Sequence, residues 1–163
     1  DCRRAAVLFS GDTGFYSGAA KFLEIIHIVS GSKKQKKETE KEMLSANLSK
    51  AYEVEVFPGI SSVQALSAAA HLPYNDAAIC SFHGRDLNLS QIRETVENNR
   101  ISYFLFSGKE DAEKTIKALE DREVKVYTGI DFGSKNQQVV SGTDKLPEGK
   151  LYIMVVENLC VDL

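Results

Sequence analysis

The chain has 163 residues, of which 43% are hydrophobic and 26% are charged, an ordinary composition for a globular protein. Its formal charge of −3 lacks the basic excess of a general nucleic-acid or anionic-membrane binder, so we expect neither partner. No apolar run approaches the roughly 20 residues that span a bilayer. The opening Asp1-Cys2-Arg3-Arg4 leads into an apolar run too short for a signal peptide, and a cytoplasmic location is therefore expected.

In the first half of the chain, apolar runs of strand length alternate with segments of helical spacing. We predict strands at residues 5–9, 54–57 and 77–82. Helices are predicted at residues 15–27 and 61–71. Between them, the mixed charges of residues 31–50 indicate a solvated face or a mobile loop. A basic patch for polyanions is the less favoured alternative, because the acidic side chains that follow cancel the field of the lysines.

The second half repeats the alternation. Helices are predicted at residues 89–98 and 111–121, and strands at residues 101–106, 124–128, 138–141 and 151–157. Strands separated by helices predict an α/β fold with largely parallel pairing. The closing strands have little helix between them, which predicts an antiparallel contribution.

The three cysteines, Cys2, Cys80 and Cys160, are widely spaced and form no CxxC pair. This spacing predicts neither a zinc site nor a disulfide framework, and no other metal-binding pattern is present. We interpret the thiols as buried or incidental, because free cysteine packs like a small hydrophobic residue. No nucleophile–base pattern assigns a catalytic residue.

The first candidate ligand loop is the segment Ser-Gly-Asp-Thr-Gly at 10–14, between a predicted strand and a predicted helix. Its glycines allow a sharp turn and the close approach of a ligand, and the following helix offers free N–H groups. In open α/β sheets, ligands bind beyond the carboxyl ends of the strands. Asp12 either accepts hydrogen bonds from such a ligand or caps the helix, and the sequence leaves both interpretations open. No GxGxxG or P-loop pattern supports a nucleotide.

Two further loops follow predicted strands. Pro58-Gly59-Ile60-Ser61-Ser62 opens a helix with two hydroxyls, so it forms either a second ligand wall or a simple capped turn. Ser81-Phe82-His83-Gly84-Arg85 carries two side chains suited to binding carboxylates, His83 and Arg85, although both fit an ordinary protein surface equally well.

Together, these loops resemble segments of the tetrapyrrole (corrin/porphyrin) methylases. The segment SGDTGFYS at 10–17 resembles their SGDPGFYS segment, and VEVFPGISS at 54–62 resembles their VIPGISS segment. The segment SFHGR at 81–85 resembles SLHGR, which marks the cobalt-precorrin-7 (precorrin-6Y type) methylase branch. The region 129–143 is similar to the later ExVxxGT region.

The resemblance implies a two-lobed α/β methyltransferase that binds S-adenosylmethionine (SAM) between its lobes, here residues 1–72 and 73–163. The expected reaction is C-methylation of a corrin precursor in cobalamin biosynthesis. Carried over from the family, the residues implied to line the cofactor are Gly11, Asp12, Thr13, Tyr16, Ser61 and Ser62. His83 and Arg85 are implied to face the carboxylate-rich corrinoid.

The chain also departs from the family pattern. The family opens with a GxGPG loop that this chain lacks, so we expect a truncated N-terminal lobe, and residues 31–50 resemble an insertion. Thr13 replaces the usual proline. The expected partners are a second copy in a homodimer and a separate decarboxylating methylase subunit. Two alternatives remain: a non-catalytic fragment or assembly subunit, and another SAM methyltransferase of the same fold such as diphthine synthase, which His83-Gly84-Arg85 disfavours.

Overall fold

The computed structural model describes residues 4–9, 11–29, 54–142 and 145–161. These residues belong to two compact units, Asp1–Ile60 and Ser61–Leu163. The charged segment expected to be an insertion, residues 31–50, lies outside the described residues. The prediction of a lobe boundary at residue 72 remains a prediction.

Among the described residues of the first unit, helix α1 spans Gly18–Val29. It begins after Ser17, whose Oγ accepts a hydrogen bond from the Ala19 N–H at 3.2 Å, as an N-cap residue does. The predicted start at residue 15 is wrong by about one turn. Residues 12–15 form a separate tight turn, in which the Phe15 N–H donates to the Asp12 carbonyl at 3.2 Å.

The two strands predicted in this unit are wrong in the structure. Residues 5–9 and 54–57 form no strand ladder with any described residue. Their apolar side chains are largely exposed, Leu8 at 92% and Phe57 at 70%. A local apolar run indicates burial only when a neighbouring strand supplies the hydrogen bonds and a packing surface.

In the part of the second unit that the structure describes, there are three helices and five strands. The helices are α2 (Ser62–Ala70), α3 (Leu89–Asn98) and α4 (Lys109–Ala118). The strands are β1 (Ala78–Ser81), β2 (Ile101–Phe106), β3 (Val124–Ile130), β4 (Gln138–Ser141) and β5 (Tyr152–Asn158). Predicted and observed bounds coincide for α3, β2 and β4, and the α/β fold class is confirmed.

The sheet has the strand order β1-β2-β5-β3-β4. β1 and β2 are parallel, whereas β5 runs antiparallel to both β2 and β3, and β4 is antiparallel to β3. The strands connected by helices, β1, β2 and β3, therefore point the same way, as predicted. The expectation of largely parallel pairing is nevertheless wrong, because β5 inserts between β2 and β3.

Helices cover both faces of this sheet. α3 and α4 pack over β2 and β5 on one face, around a core that includes Phe82, Phe104, Phe106 and Met154. α2 packs against β5 and β3. Its C-terminal end is held to the sheet by the buried Tyr103, whose hydroxyl donates to the Leu72 carbonyl at 2.9 Å. Burial raises the pKa of the Tyr103 hydroxyl, which keeps it a protonated donor.

Replacement of Thr128 by valine should leave stability unchanged or raise it by about 1 kcal/mol. Within the part of the chain that the structure describes, the Thr128 Oγ1 is buried without a hydrogen-bond partner. Burying an unsatisfied hydroxyl costs free energy, and a methyl group of similar size removes that cost. The midpoint of urea denaturation measures the effect.

Thr115 provides the matched control, because it is also fully buried but its Oγ1 donates to the Asp111 carbonyl at 2.9 Å. Thr115→Val should therefore lower the free energy of unfolding by about 1 kcal/mol. Equal destabilisation by the two substitutions would show that the Thr128 hydroxyl is satisfied in the folded protein.

Candidate functional site

In the first unit, a tight turn brings together four predicted cofactor residues, Gly11, Asp12, Thr13 and Tyr16. The Asp12 Oδ1 accepts the Gly14 N–H at 2.8 Å, an Asx-type contact that fixes the turn. The Asp12 Oδ2 accepts the Gly59 N–H at 3.2 Å from a segment distant in sequence. The structure thus uses both carboxylate oxygens of Asp12 to hold backbone, rather than to cap α1.

Gly59 is the point of closest approach between this turn and the segment before α2. A β-carbon on Gly59 would lie 2.3 Å from the Gly11 carbonyl oxygen and 3.4 Å from the Asp12 Cα. The Thr13 hydroxyl adds a long hydrogen bond, 3.4 Å, to the Phe57 carbonyl. Only glycine lets these two backbone segments pack so closely.

Two residues of the turn have the left-handed backbone conformation, Gly11 with φ 75° and Tyr16 with φ 46°. For glycine this costs little, but for a bulky residue such as Tyr16 it is an uncommon, strained conformation. The Tyr16 side chain is 58% exposed, and its ring meets the Phe15 ring edge-on at 4.8 Å between centroids. This segment therefore presents a tyrosine ring to solvent, with the Phe15 ring against it.

In the second unit, Ser61 and Ser62 open helix α2, but they have different environments. Ser61 is the N-cap: its Oγ accepts the Gln64 N–H at 3.2 Å, and Gln64 Oε1 accepts the Ser61 N–H at 2.7 Å. This reciprocal capping box occupies the side chain of Ser61, which is buried. Ser62 is half-buried and begins the helix, so it is the better placed of the two to contact a ligand.

His83 and Arg85 lie on a tight turn that follows β1. The Arg85 N–H donates to the Phe82 carbonyl at 3.1 Å, and Gly84, at the third position, has φ 70°. A positive φ at this position is the signature of a type II turn, which explains why glycine stands there. Both His83 and Arg85 are exposed, so the turn presents an imidazole and a guanidinium group together.

Sequence reasoning missed Ser107, which follows the end of β2. Its Oγ accepts the Gly84 N–H at 2.8 Å and lies 3.5 Å from the Phe82 carbonyl oxygen. β1 and β2 are parallel, with Ser81 opposite Leu105, so the loops after both strands meet at one edge of the sheet. That parallel pairing, already predicted from the helix between the strands, was the signal that could have identified Ser107.

The loop after β3 reaches the same edge of the sheet. Asp131, with φ 51°, accepts the N–H groups of Lys150 and Leu151 on its Oδ1 at 2.8 and 2.9 Å. These two backbone hydrogen bonds hold the pKa of the Asp131 carboxyl below its usual value. We interpret Asp131 as structural, since it ties the turn after β3 to the segment that enters β5.

The predicted residues therefore fall into three local groups: the turn that contains Asp12, the N-terminus of α2, and the turn that contains His83. The described residues contain no group of three or more His, Cys, Asp or Glu side chains able to hold a metal ion. Of the cysteines in the described part, Cys80 is half-buried and Cys160 is exposed, and both are free thiols. None of the helices that the structure describes has the length and apolar character of a membrane span.

The family model of the tetrapyrrole (corrin/porphyrin) methylases matches residues 38–146, more than half of the chain. The chain belongs to this family. The match includes the segments that contain Ser61, Ser62, His83 and Arg85, and it confirms the resemblance to this family; the loop at 10–17 lies outside the matched residues. No curated protein matches the chain in sequence.

The chain shares its fold with a solved structure, the methyltransferase CobJ. The crystal structure of the methyltransferase CobJ superposes with a TM-score of 0.59 at 16% identity, covering 94% of this chain and 64% of CobJ. The cobalamin-biosynthesis precorrin-6Y methylase (cbiE) of Archaeoglobus fulgidus superposes with a TM-score of 0.46 at 17% identity, covering 69% of this chain and 55% of that one. The chain thus spans less than two thirds of CobJ.

Proposed function

We propose that this chain is a SAM-dependent methyltransferase that methylates a ring carbon of a corrin precursor, of the cobalt-precorrin-7 or precorrin-6Y type. The observation that carries the proposal is the match of residues 38–146 to the tetrapyrrole methylase family. The finer choice of acceptor rests on the segment Ser81-Phe82-His83-Gly84-Arg85, which resembles that branch of the family.

The described residues fit SAM as the methyl donor. Gly11 is exposed and has no side chain to obstruct a ligand, and the exposed Tyr16 ring offers a surface for an adenine or a sulfonium group. The contacts that we propose for SAM are Gly11, Asp12, Thr13, Tyr16, Ser61 and Ser62. Because the carboxylate of Asp12 and the hydroxyl of Ser61 already bind backbone, these two act mainly by holding their segments in place.

When bound, SAM would supply the methyl group: as the ring carbon of the acceptor bonds to the methyl carbon, the bond between that carbon and sulfur would break, and the electron pair would stay on S-adenosylhomocysteine (SAH). Such a transfer needs orientation more than a nucleophilic side chain. The exposed guanidinium of Arg85 and the imidazole of His83 are suited to binding the acidic side chains of a corrinoid. The protein thus supplies binding and alignment, in agreement with the lack of a nucleophile–base pattern in the sequence.

Calorimetric titration of the chain with SAH tests the donor half of this proposal. We expect binding in the micromolar range, and no binding of ATP, because the sequence has no phosphate-binding loop. Transfer of labelled methyl from SAM to a corrinoid acceptor tests the second half. If the folded chain gives no detectable heat of SAH binding, the result contradicts the proposal.

One observation favours a second function, that of a non-catalytic fragment or assembly subunit. The side chains of Asp12 and Ser61 are both engaged by the protein's own backbone, which leaves fewer polar groups for a cofactor. SAH binding with methyl transfer by this chain alone excludes that function. Homodimerisation, and a separate decarboxylating methylase as partner, also remain proposals, which analytical ultracentrifugation of the chain alone and of mixtures can test.

A further inference from the structure

The turn that carries His83 and Arg85 is packed at its base but not at its tip. Phe82, at the base of the turn, is buried, its ring stacks on the Phe106 ring at 6.2 Å, and its N–H donates to the Leu105 carbonyl at 2.8 Å. The tip of the turn has no comparable packing, because His83, Gly84 and Arg85 are all exposed.

The side chain of Ser107 binds the backbone at that tip. In a type II turn the N–H of the third residue has no acceptor within the turn, and here the Gly84 N–H donates to the Ser107 Oγ at 2.8 Å. The same hydroxyl donates to the Phe82 carbonyl at 3.5 Å. Ser107 thus accepts a hydrogen bond from the Gly84 N–H and donates one to the Phe82 carbonyl of the same turn. Because Ser107 directly follows β2, the end of that strand fixes its position.

The remaining N–H groups of the turn are also engaged. The His83 N–H donates to the Ser81 Oγ at 3.4 Å, and the Arg85 N–H donates to the Phe82 carbonyl. The backbone of the turn therefore offers no free N–H to an anion, and only the side chains of His83 and Arg85 project to solvent. Recognition at this turn depends on how those two side chains are oriented.

We infer that Ser107 is a positioning residue for acceptor binding: it holds the turn so that His83 and Arg85 meet carboxylate groups of the tetrapyrrole together. This inference rests on the proposed function. Loss of the hydroxyl leaves the Gly84 N–H to water and lets the Gly84 peptide rotate, which separates the directions of the His83 and Arg85 side chains.

The test compares Ser107→Ala with Ser107→Thr, which retains the hydroxyl. The probe is cobyrinic acid, with its fully methyl-esterified form as a ligand that lacks carboxylates, and binding is measured by calorimetry. We expect Ser107→Ala to weaken binding of the free acid about fivefold, the loss typical of one hydrogen bond, with little change for the ester. Ser107→Thr should bind the acid within about twofold of the unaltered chain.

Two controls separate this inference from the proposed function. SAH binding should be unchanged in Ser107→Ala, and its urea midpoint should fall only slightly, as expected for lost hydrogen bonds at an exposed turn, so that the chain remains folded. Arg85→Ala should weaken binding of the free acid at least as much as Ser107→Ala does. If Arg85→Ala weakens acid binding and Ser107→Ala does not, the role of Ser107 is refuted and the proposed function stands. If the unaltered chain does not prefer the acid to the ester, the acceptor proposal fails, and the role of Ser107 fails with it.

Discussion

Gly59→Ala is expected to weaken SAH binding by about tenfold or more. The new β-carbon would lie 2.3 Å from the Gly11 carbonyl oxygen, so the two backbone segments must separate. Forced overpacking costs about 1–3 kcal/mol, and each 1.4 kcal/mol is tenfold in an equilibrium constant. The separation also lengthens the hydrogen bond between the Gly59 N–H and Asp12, which disturbs the turn that presents Tyr16.

Gly108→Ala is the matched control for this substitution. Gly108 has a φ of −167°, an extended backbone conformation that alanine adopts freely. A β-carbon at this position would have no described atom within 4 Å beyond its chain neighbours. This variant should bind SAH like the unaltered chain. Amide hydrogen exchange of Gly59→Ala is measured without ligand. Faster exchange at positions 14 and 59 than in the unaltered chain would show that the turn itself has loosened. Unchanged SAH affinity in Gly59→Ala would show that the contact is not part of the cofactor site.

Phe104→Ala is expected to lower the free energy of unfolding by about 3–5 kcal/mol, the cost of truncating a buried aromatic side chain. Phe104 is completely buried in β2, and its ring lies 6.4 Å from that of Phe106 and 6.5 Å from that of Phe82. The total stability of a domain is about 5–15 kcal/mol, so much of the variant should be unfolded at modest urea concentrations.

The urea midpoint measures this loss, with Leu151→Ala as the control. Leu151 is 47% exposed, and its truncation should change stability by about 0.5 kcal/mol or less. Equal midpoints for the two variants would mean that the three aromatic rings do not form the centre of the core.

Helices and strands with a complete local pattern were predictable from the sequence. In α3, the Asn88 side chain accepts the Gln91 N–H as an N-cap, and Ile92 and Val96, four residues apart, are buried on one side. β2 is an apolar run whose side chains are nearly all buried. In such elements the capping residue and the hydrophobic spacing agree with the tertiary packing, so local reasoning succeeds.

Features that depend on distant residues were not predictable. Nothing local in residues 152–158 indicates that β5 lies between β2 and β3, because strand order is decided by packing across the whole sheet. The use of Asp12 to hold Gly59 joins residues 47 positions apart. The motif predicted that Asp12 lines a cofactor, but only the structure shows that its two oxygens bind backbone.

The central position of β5 has a consequence for synthesis. On the ribosome β2 and β3 emerge before β5, and neither can complete its pairing until β5, the strand between them, is made: Ile101 pairs with Glu157, and Val124 with Asn158. Until then both strands expose unpaired edges, which are templates for aggregation. Chaperones that shield nascent chains should therefore matter for the yield of this protein, and a chain stopped before Tyr152 should precipitate rather than fold.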